Sequence, residues 1–387
     1  MKLRRLALVG AAGVAAILTL ATAAGAAPLG ADHSRPAADS LRSLAAHVGL
    51  RIGTAVNGNK LNVDAAYTAI VAGQFSTVTP ENAMKWDAVE PSQGTENFAQ
   101  ADQLVAFAQA HGQLVRGHTL LWHNQIPSWL TSGVAGGTID NDQLRTILHK
   151  HITDEVSHLR GKVWQWDVAN EFFTDSNPST FNPNDFWVSH LGAGIVADAF
   201  RWAHAADPHA LLFYNDYNIA GEDGSNAKSD AVYAWVRQLR SQGVPIDGVG
   251  DQGHLDTQYG FPSLLTQDLA RYTAAGFKVA LTEADVRTFV ETTDANQTPT
   301  DSLATFAQPY EYSQMLKACL AVRDCISFTV WGIDDADSWV PGTFHGEGYA
   351  DIYDGNLNPK AAYTALQQDL TLAAGGTPHR TGVGARF

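Results

Sequence analysis

Short apolar runs rich in β-branched and aromatic residues alternate along the chain with longer stretches of helical pattern. The runs span Leu50 to Val56, Phe75 to Thr79, Leu114 to Leu120, Lys162 to Ala169, Ala210 to Tyr214, Gly248 to Gly253, Phe277 to Thr282 and Ile326 to Trp331. Helices are predicted between them, among others over Asn97 to His111, Asn141 to Leu159, Ile195 to Ala205, Ser229 to Gln242 and Pro262 to Ala275. Strands and helices in this alternation form βα units, and eight such strands point to a single closed (β/α)8 TIM barrel rather than an open sheet. No Ser/Thr/Pro linker, charge block or internal repeat breaks the span, so one domain is expected from residue 39 to residue 371.

The two ends read differently. Lys2, Arg4 and Arg5 precede an apolar run from Leu6 to about Ala23, and small residues follow at Ala24-Gly25-Ala26. That order predicts a secretory signal peptide over residues 1–26 and a secreted, extracellular protein, with an uncleaved membrane anchor as the alternative. Residues 27–38 (APLGADHSRPAA) read as a flexible lead-in and residues 372–387 (LAAGGTPHRTGVGARF) as a flexible tail. No later stretch is long and apolar enough to span a bilayer, so no membrane association is expected after cleavage.

Composition sharpens this picture. The chain has 387 residues, 45% of them apolar, which is enough for one large barrel core. Signal removal takes three of the 25 basic groups and none of the 40 acidic ones, moving the formal charge from −15 to −18. Such acidity excludes a basic nucleic-acid footprint and suits a soluble protein acting on a neutral or weakly charged partner. Cys319 and Cys325 are the only cysteines, and an even count in an exported chain favours a disulfide. An unbroken helix would hold residues six apart too far from each other to bridge, so the bond requires a turn near Arg323-Asp324. Two free buried thiols are the alternative.

The strand ends carry the chemistry. Seven of the eight run out into polar or aromatic groups: Glu81 and Asn82; His118, Trp122 and His123; Asn170 and Glu171; Asn215 and Tyr217; Gln252 and His254; Glu283 and Asp285; and Trp331. In a barrel these ends converge on the face where active sites lie. Alternation along the fourth strand places Gln165, Asp167, Ala169 and Glu171 on one side, and along the seventh it aligns Glu283 with Asp285. Glu171 and Glu283 thus face a shared cleft, and paired carboxylates suit glycoside hydrolysis. Trp86, Trp122, Trp331 and Trp339 lie just past strand ends, where a flat face can stack on a sugar ring, whereas parity assigns Trp164 and Trp166 to the layer beneath the outer helices. His118 and His123 flank Trp122, and His149 and His151 share a helix, but neither pair has the HExxH spacing of a helical zinc site. No catalytic metal and no cofactor is expected. His254 reads as the partner that keeps Glu283 ionised, with Asp285 orienting it.

At these residues the chain resembles the family 10 endo-β-1,4-xylanases, from about Leu41 to Leu370. The resemblance is carried by TPENAMKWDAVEP (79–91), RGHTLLWH (116–123), WDVANEFF (166–173), NDYNI (215–219), GDQGHL (250–255), LTEADV (281–286) and VWGIDDADSW (330–339). It implies Glu171 as acid/base, Glu283 as nucleophile and Asn170 on the 2-hydroxyl of the attacked sugar. It also implies His118, Gln252 and His254 around that sugar, Glu81, Asn82, Lys85 and Trp122 at the next site on the non-reducing side, and Trp331 and Trp339 closing over the cleft. Tyr217 joins the substrate-binding group, and Cys319 and Cys325 match a cysteine pair often seen before the family's last strand. The chain departs from the family pattern at Ala169, Phe172 and Ile219-Ala220, and Val340 to Gly348 lacks the basic residue often found there.

The resemblance implies endo-hydrolysis of internal β-1,4-xylosidic bonds by a retaining double displacement, with xylan and xylo-oligosaccharides as partners and a monomeric enzyme. A retaining β-1,4-glucanase on the same fold and a catalytically inactive polysaccharide-binding barrel are the alternatives. The single sequon is Asn296-Gln-Thr298.

Overall fold

Eight parallel strands close on themselves in the computed structural model, which describes residues 37–222, 224–292 and 297–375. The expected signal peptide, the lead-in up to residue 36, Asn296 of the sequon and the tail from residue 376 lie outside the described residues. The strands are β1 (Arg51–Val56), β2 (Thr77–Pro80), β3 (Leu114–Leu121), β4 (Val163–Asn170), β5 (Leu211–Asp216), β6 (Gly248–Asp251), β7 (Lys278–Phe289) and β8 (Cys325–Val330). Each pairs in parallel with the next, and β8 returns to β1 from Arg51↔Ser327 to Thr54↔Val330. This is the (β/α)8 barrel expected from the alternation of elements.

The intervening helices bury one stripe each. Gly194–Ala206 turns Ile195, Val196, Ala199, Phe200 and Ala203 inward, the three- and four-residue spacing of an amphipathic helix. Asn141–His158 starts at a capping box, in which Asp140 accepts from the Gln143 backbone and Gln143 reaches back to the Asp140 N–H. The last helix, Ala361–Gly375, takes in residues 372–375, which the sequence assigned to the tail. Helix Ala304–Ala321 ends just before the expected turn, and Cys319 is bonded to Cys325 with Cα atoms 5.3 Å apart.

Strand alternation fails at two places on β4, and both matter. Pairing with β3 skips Trp164, from Val115↔Val163 to Arg116↔Gln165, and pairing with β5 skips Val168, from Asp167↔Phe213 to Ala169↔Tyr214. An extra residue of this kind reverses the face that follows it. Trp164, expected beneath the outer helices, therefore packs against Phe213, Ala280 and Ile326 in a small cluster separate from the main core. Trp166 is fully buried in the main core, as parity implied. Ala169 also joins the main core rather than sharing a side with Glu171, so Asn170 is the residue turned to the barrel mouth, paired with Asn215.

β7 is twice as long as its apolar run suggested, since it continues past the barrel rim to Phe289. A short strand, His254–Asp256, pairs with this extension in the register His254↔Asp285. Gly253, at φ 75°, makes the left-handed turn that separates it from β6.

Candidate active site

Glu283, near the barrel end of β7, is buried and surrounded by cationic or amide donors. Its Oε1 accepts from Asn215 Nδ2 at 2.7 Å and lies 3.9 Å from both Arg116 Nη2 and His118 Nδ1. His254 Nε2 stands 3.4 Å from Oε2. Burial alone would push this carboxyl up, but His118, His254 and Arg116 outweigh it and hold Glu283 at about 2. His254 shows the reverse balance: burial favours the neutral ring, yet Asp285 and Glu283 raise it to about 10. The His254 ring is set from behind, with Nδ1 3.0 Å from Asp285 Oδ2, and that oxygen also accepts from Trp339 Nε1 at 2.7 Å.

Glu171 reaches the cleft by a different route. Asn170 already faces inward, so continued extension would turn the next side chain away, but Glu171 adopts φ 62°. Its Oε1 accepts from Gln252 Nε2 at 2.8 Å and Asn170 Nδ2 at 3.0 Å, and its Oε2 from Trp122 Nε1 at 2.8 Å. All three donors are neutral, and the side chain is only half-buried.

Asn215 joins the two carboxylates. The Nδ2 group that donates to Glu283 also donates to Asn170 Oδ1 at 2.8 Å, while Thr282 Oγ1 donates to Asn215 Oδ1 at 2.7 Å and fixes the amide. Gly250 makes room for it, because a Cβ there would lie 2.4 Å from Asn215 Oδ1. Arg116 and Asp167 support the same floor. Arg116 Nε donates to Asp167 Oδ1 at 3.2 Å, its Nη2 bonds Asp167 Oδ2, and its Nη1 donates to Thr282 O at 3.1 Å. His118 Nδ1 stands 2.9 Å from Asp167 Oδ2. His118, Asp167 and Glu283 bring possible metal-ligand atoms within 4.8 Å of one another. The Arg116 guanidinium bonds Asp167 and faces Glu283, so the chain itself supplies the positive charge there.

Of the residues expected at the site, Glu171, Glu283, Asn170, Gln252, His254, Asp285, His118, Trp122 and Trp339 form this connected group. Trp331 meets the His118 ring edge-on, with centroids 5.1 Å apart. Lys85 Nζ donates to Asn82 Oδ1 at 3.0 Å and sits 4.9 Å above the Trp122 ring. Beside them is Glu81, which burial pushes up against the opposing pull of Lys85. Tyr217 lies apart, its hydroxyl donating to Asp175 Oδ2 at 3.1 Å under the Lys228 ammonium. Trp86 is not available to a sugar: it is stacked at 3.8 Å on His151 and lies parallel to Trp187, whose Nε1 donates to Trp122 O at 2.8 Å. Phe172, Ile219 and Ala220 are all buried, so those departures from the family pattern act from behind the cleft wall.

Sequence reasoning noted Asn215 at a strand end and Asp167 on the side of Glu171 without giving either a role, and it passed over Arg116 and Thr282. The available signal was a pair of opposite charges two register steps apart on adjacent strands, Arg116 and Asp167, which a barrel interior tolerates only when paired.

The arrangement presents one carboxylate fixed in its charged form opposite another held by neutral donors, across a cleft walled by tryptophans. The Glycosyl hydrolase family 10 model matches residues 40–369. An endo-1,4-β-xylanase of Agaricus bisporus is 40% identical over 329 residues, 84% of this chain and 93% of that protein. Among solved structures, xylanase 10B of Thermotoga maritima superposes with a TM-score of 0.78 at 36% identity, covering 87% of this chain and 99% of that one. Xylanase 10B of Thermotoga petrophila, solved with xylobiose, gives a TM-score of 0.79 at 36% identity, with 87% and 98% covered. With its barrel, its strand-end motifs and a match running through nearly all of the described residues, the chain belongs to glycosyl hydrolase family 10.

Proposed function

We infer that the protein is an endo-β-1,4-xylanase that hydrolyses internal bonds of xylan with retention of configuration. The observation that carries this reading is the contrast between the carboxylates: Glu283 is held ionised by His118, His254 and Arg116, while Glu171 is held by neutral donors across the same mouth. Glu283 attacks the anomeric carbon of an internal xylose as Glu171 gives its proton to the departing oxygen, and water then hydrolyses the glycosyl-enzyme with Glu171 as base. Asn170 binds the 2-hydroxyl of the attacked sugar. His254 and Asp285 act as positioning residues behind the nucleophile, and Glu81, Asn82, Lys85 and Trp122 hold the next xylose on the non-reducing side. Gln252, His118, Tyr217, Trp331 and Trp339 complete the binding surface. The enzyme works as a secreted monomer without a cofactor, without nucleic acid and away from membranes. The signal-like residues 1–26 support export, and no helix among the described residues is long and apolar enough to cross a membrane.

Product analysis by NMR early in hydrolysis tests this reading, with β-1,4-xylan and β-1,4-glucan in parallel. Short β-configured xylo-oligosaccharides, with little release from glucan, are expected. In Glu283→Ala, azide should restore turnover and give an α-configured product. An α-configured first product from the unmodified enzyme would remove Glu283 from the nucleophile role, and no product from either polymer would leave a binding-only barrel.

A further inference from the structure

Trp122, the indole that donates to Glu171, is held from behind by a buried column of rings. Trp122 O accepts from Trp187 Nε1 at 2.8 Å. The Trp187 ring lies parallel to Trp86 with centroids 5.6 Å apart, and Trp86 stacks in turn on His151 at 3.8 Å with the planes 4° apart. These rings come from elements distant in sequence: Trp86 follows β2, His151 lies on helix Asn141–His158 and Trp187 on the short helix Phe186–Leu191. The column ends at Glu155, one helical turn after His151, with Oε2 3.5 Å from His151 Nε2.

Glu155 is the unexpected member. It is fully buried on a stripe otherwise filled by Leu144, Leu148, Ile152 and Val156, and neither carboxyl oxygen has a hydrogen-bond donor among the described residues. Helix packing needs no acid there, and a buried polar group without a partner is costly. His151 Nε2 is buried and unpartnered as well. Burial, the largest cause in both, raises Glu155 well above the ordinary carboxyl range and lowers His151 to about 3. The acid therefore carries its hydrogen, and the ring is neutral. A neutral imidazole has one N–H and one acceptor nitrogen. The Leu120 carbonyl, on β3 two residues before Trp122, takes the N–H, which leaves the acceptor for the Glu155 hydrogen.

We propose that Glu155 is a positioning residue for the acid/base: its acid hydrogen fixes the tautomer and orientation of His151, and the Leu120 contact and the Trp86–Trp187 stack then hold the Trp122 indole on Glu171. This rests on the xylanase reading above and adds a support outside the cleft. The test is a double-mutant cycle between Glu155→Leu and Trp122→Phe on a nitrophenyl β-xylobioside, with Glu155→Gln as the conservative variant. Leucine suits the apolar stripe but gives His151 no donor, whereas the glutamine amide restores one. Circular dichroism and thermal unfolding check that each variant is folded. Glu155→Leu should lower kcat roughly threefold or more and enlarge the burst, because the indole donor serves Glu171 as base in the second step. Glu155→Gln should stay within about twofold of the unmodified enzyme, and in the Trp122→Phe background Glu155→Leu should cost less than about twofold further. If the leucine variant does not fold, His151→Phe takes its place in the cycle with the same expectations, since it keeps the stacking face and removes both polar contacts. Unchanged kcat and burst, losses that multiply across the two backgrounds, or a glutamine variant as impaired as the leucine one would each overturn the proposal and leave Glu155 a packing residue. An unmodified enzyme without turnover on the aryl xylobioside would instead sink the xylanase reading, and this role with it.

Discussion

Glu283, where β7 reaches the barrel rim, and Glu171, just past the end of β4, share the Asn215–Asn170 bridge, but their settings differ in kind. Around Glu283 stand Arg116, His118 and His254, and the carboxyl is buried. Around Glu171 stand an indole and two amides, and solvent reaches the side chain. A nucleophile must keep one charge state throughout, which cations in a low-dielectric pocket enforce. An acid that becomes a base must change its charge state twice per turnover, and neutral donors tolerate that change. The division of labour proposed for the two carboxylates therefore rests on which elements supply the neighbours: charged groups from β3 and the short strand beside β7, neutral ones from the ends of β4 and β6 and from the segment after β3.

Removing either carboxylate breaks the contrast most severely. Glu283→Ala should lose about 10⁴-fold or more in kcat/KM on every substrate, because no glycosyl-enzyme can form. Glu171→Ala should lose about 10²- to 10⁴-fold on xylan, the range of general acid catalysis. On aryl xylosides with good leaving groups, its first step should stay fast, and a burst of phenol should precede slow turnover. Equal losses on good and poor leaving groups would take the acid role away from Glu171.

Replacing His254 by Asn tests the electrostatic half of the comparison. Glu283 is depressed from an ordinary 4.5 to about 2, so its stabilising contribution is present above 4.5 and is lost as pH falls towards 2. His254 is raised from 6.5 to about 10, so its contribution is present below 6.5 and is lost as pH rises through 10. Without the imidazolium, burial of Glu283 is less well opposed. The acid limb of kcat/KM should then move up by ~1–3 pH units. An acid limb that stays in place would show that His118 and Arg116 suffice.

The sequence displays the barrel and its mouth because both follow from local pattern. Apolar runs mark strands, and the polar groups after them mark the catalytic face. It does not display how Glu171 gets there. Alternation counted Ala169 and Glu171 on one side, whereas the skip at Val168 sends Ala169 outward and a left-handed turn brings Glu171 back. Such skips depend on how β4 meets two neighbours more than forty residues away in sequence, information that no window along β4 contains. Trp86 teaches the same lesson. Its place after β2 suggested a sugar platform, but His151 and Trp187, brought in by two distant helices, enclose it.

The finest test concerns Trp122, which belongs to both halves of the cleft's work. Its ring lies under Lys85, where the next xylose is expected, and its Nε1–H is the sole donor shown to Glu171 Oε2 among the described residues. Trp122→Phe keeps an aromatic face and removes only that donor. A hydrogen bond to a charged group contributes ~1.5–3 kcal/mol, and Gln252 and Asn170 still hold the other oxygen, so roughly a tenfold effect is expected. The donor stabilises the ionised form that acts as base. Its loss should therefore fall on hydrolysis of the glycosyl-enzyme, lowering kcat on aryl xylobiosides and increasing the burst. If KM rises while kcat and the burst stay unchanged, Trp122 serves the sugar alone, and the neutral cradle around Glu171 reduces to its two amides.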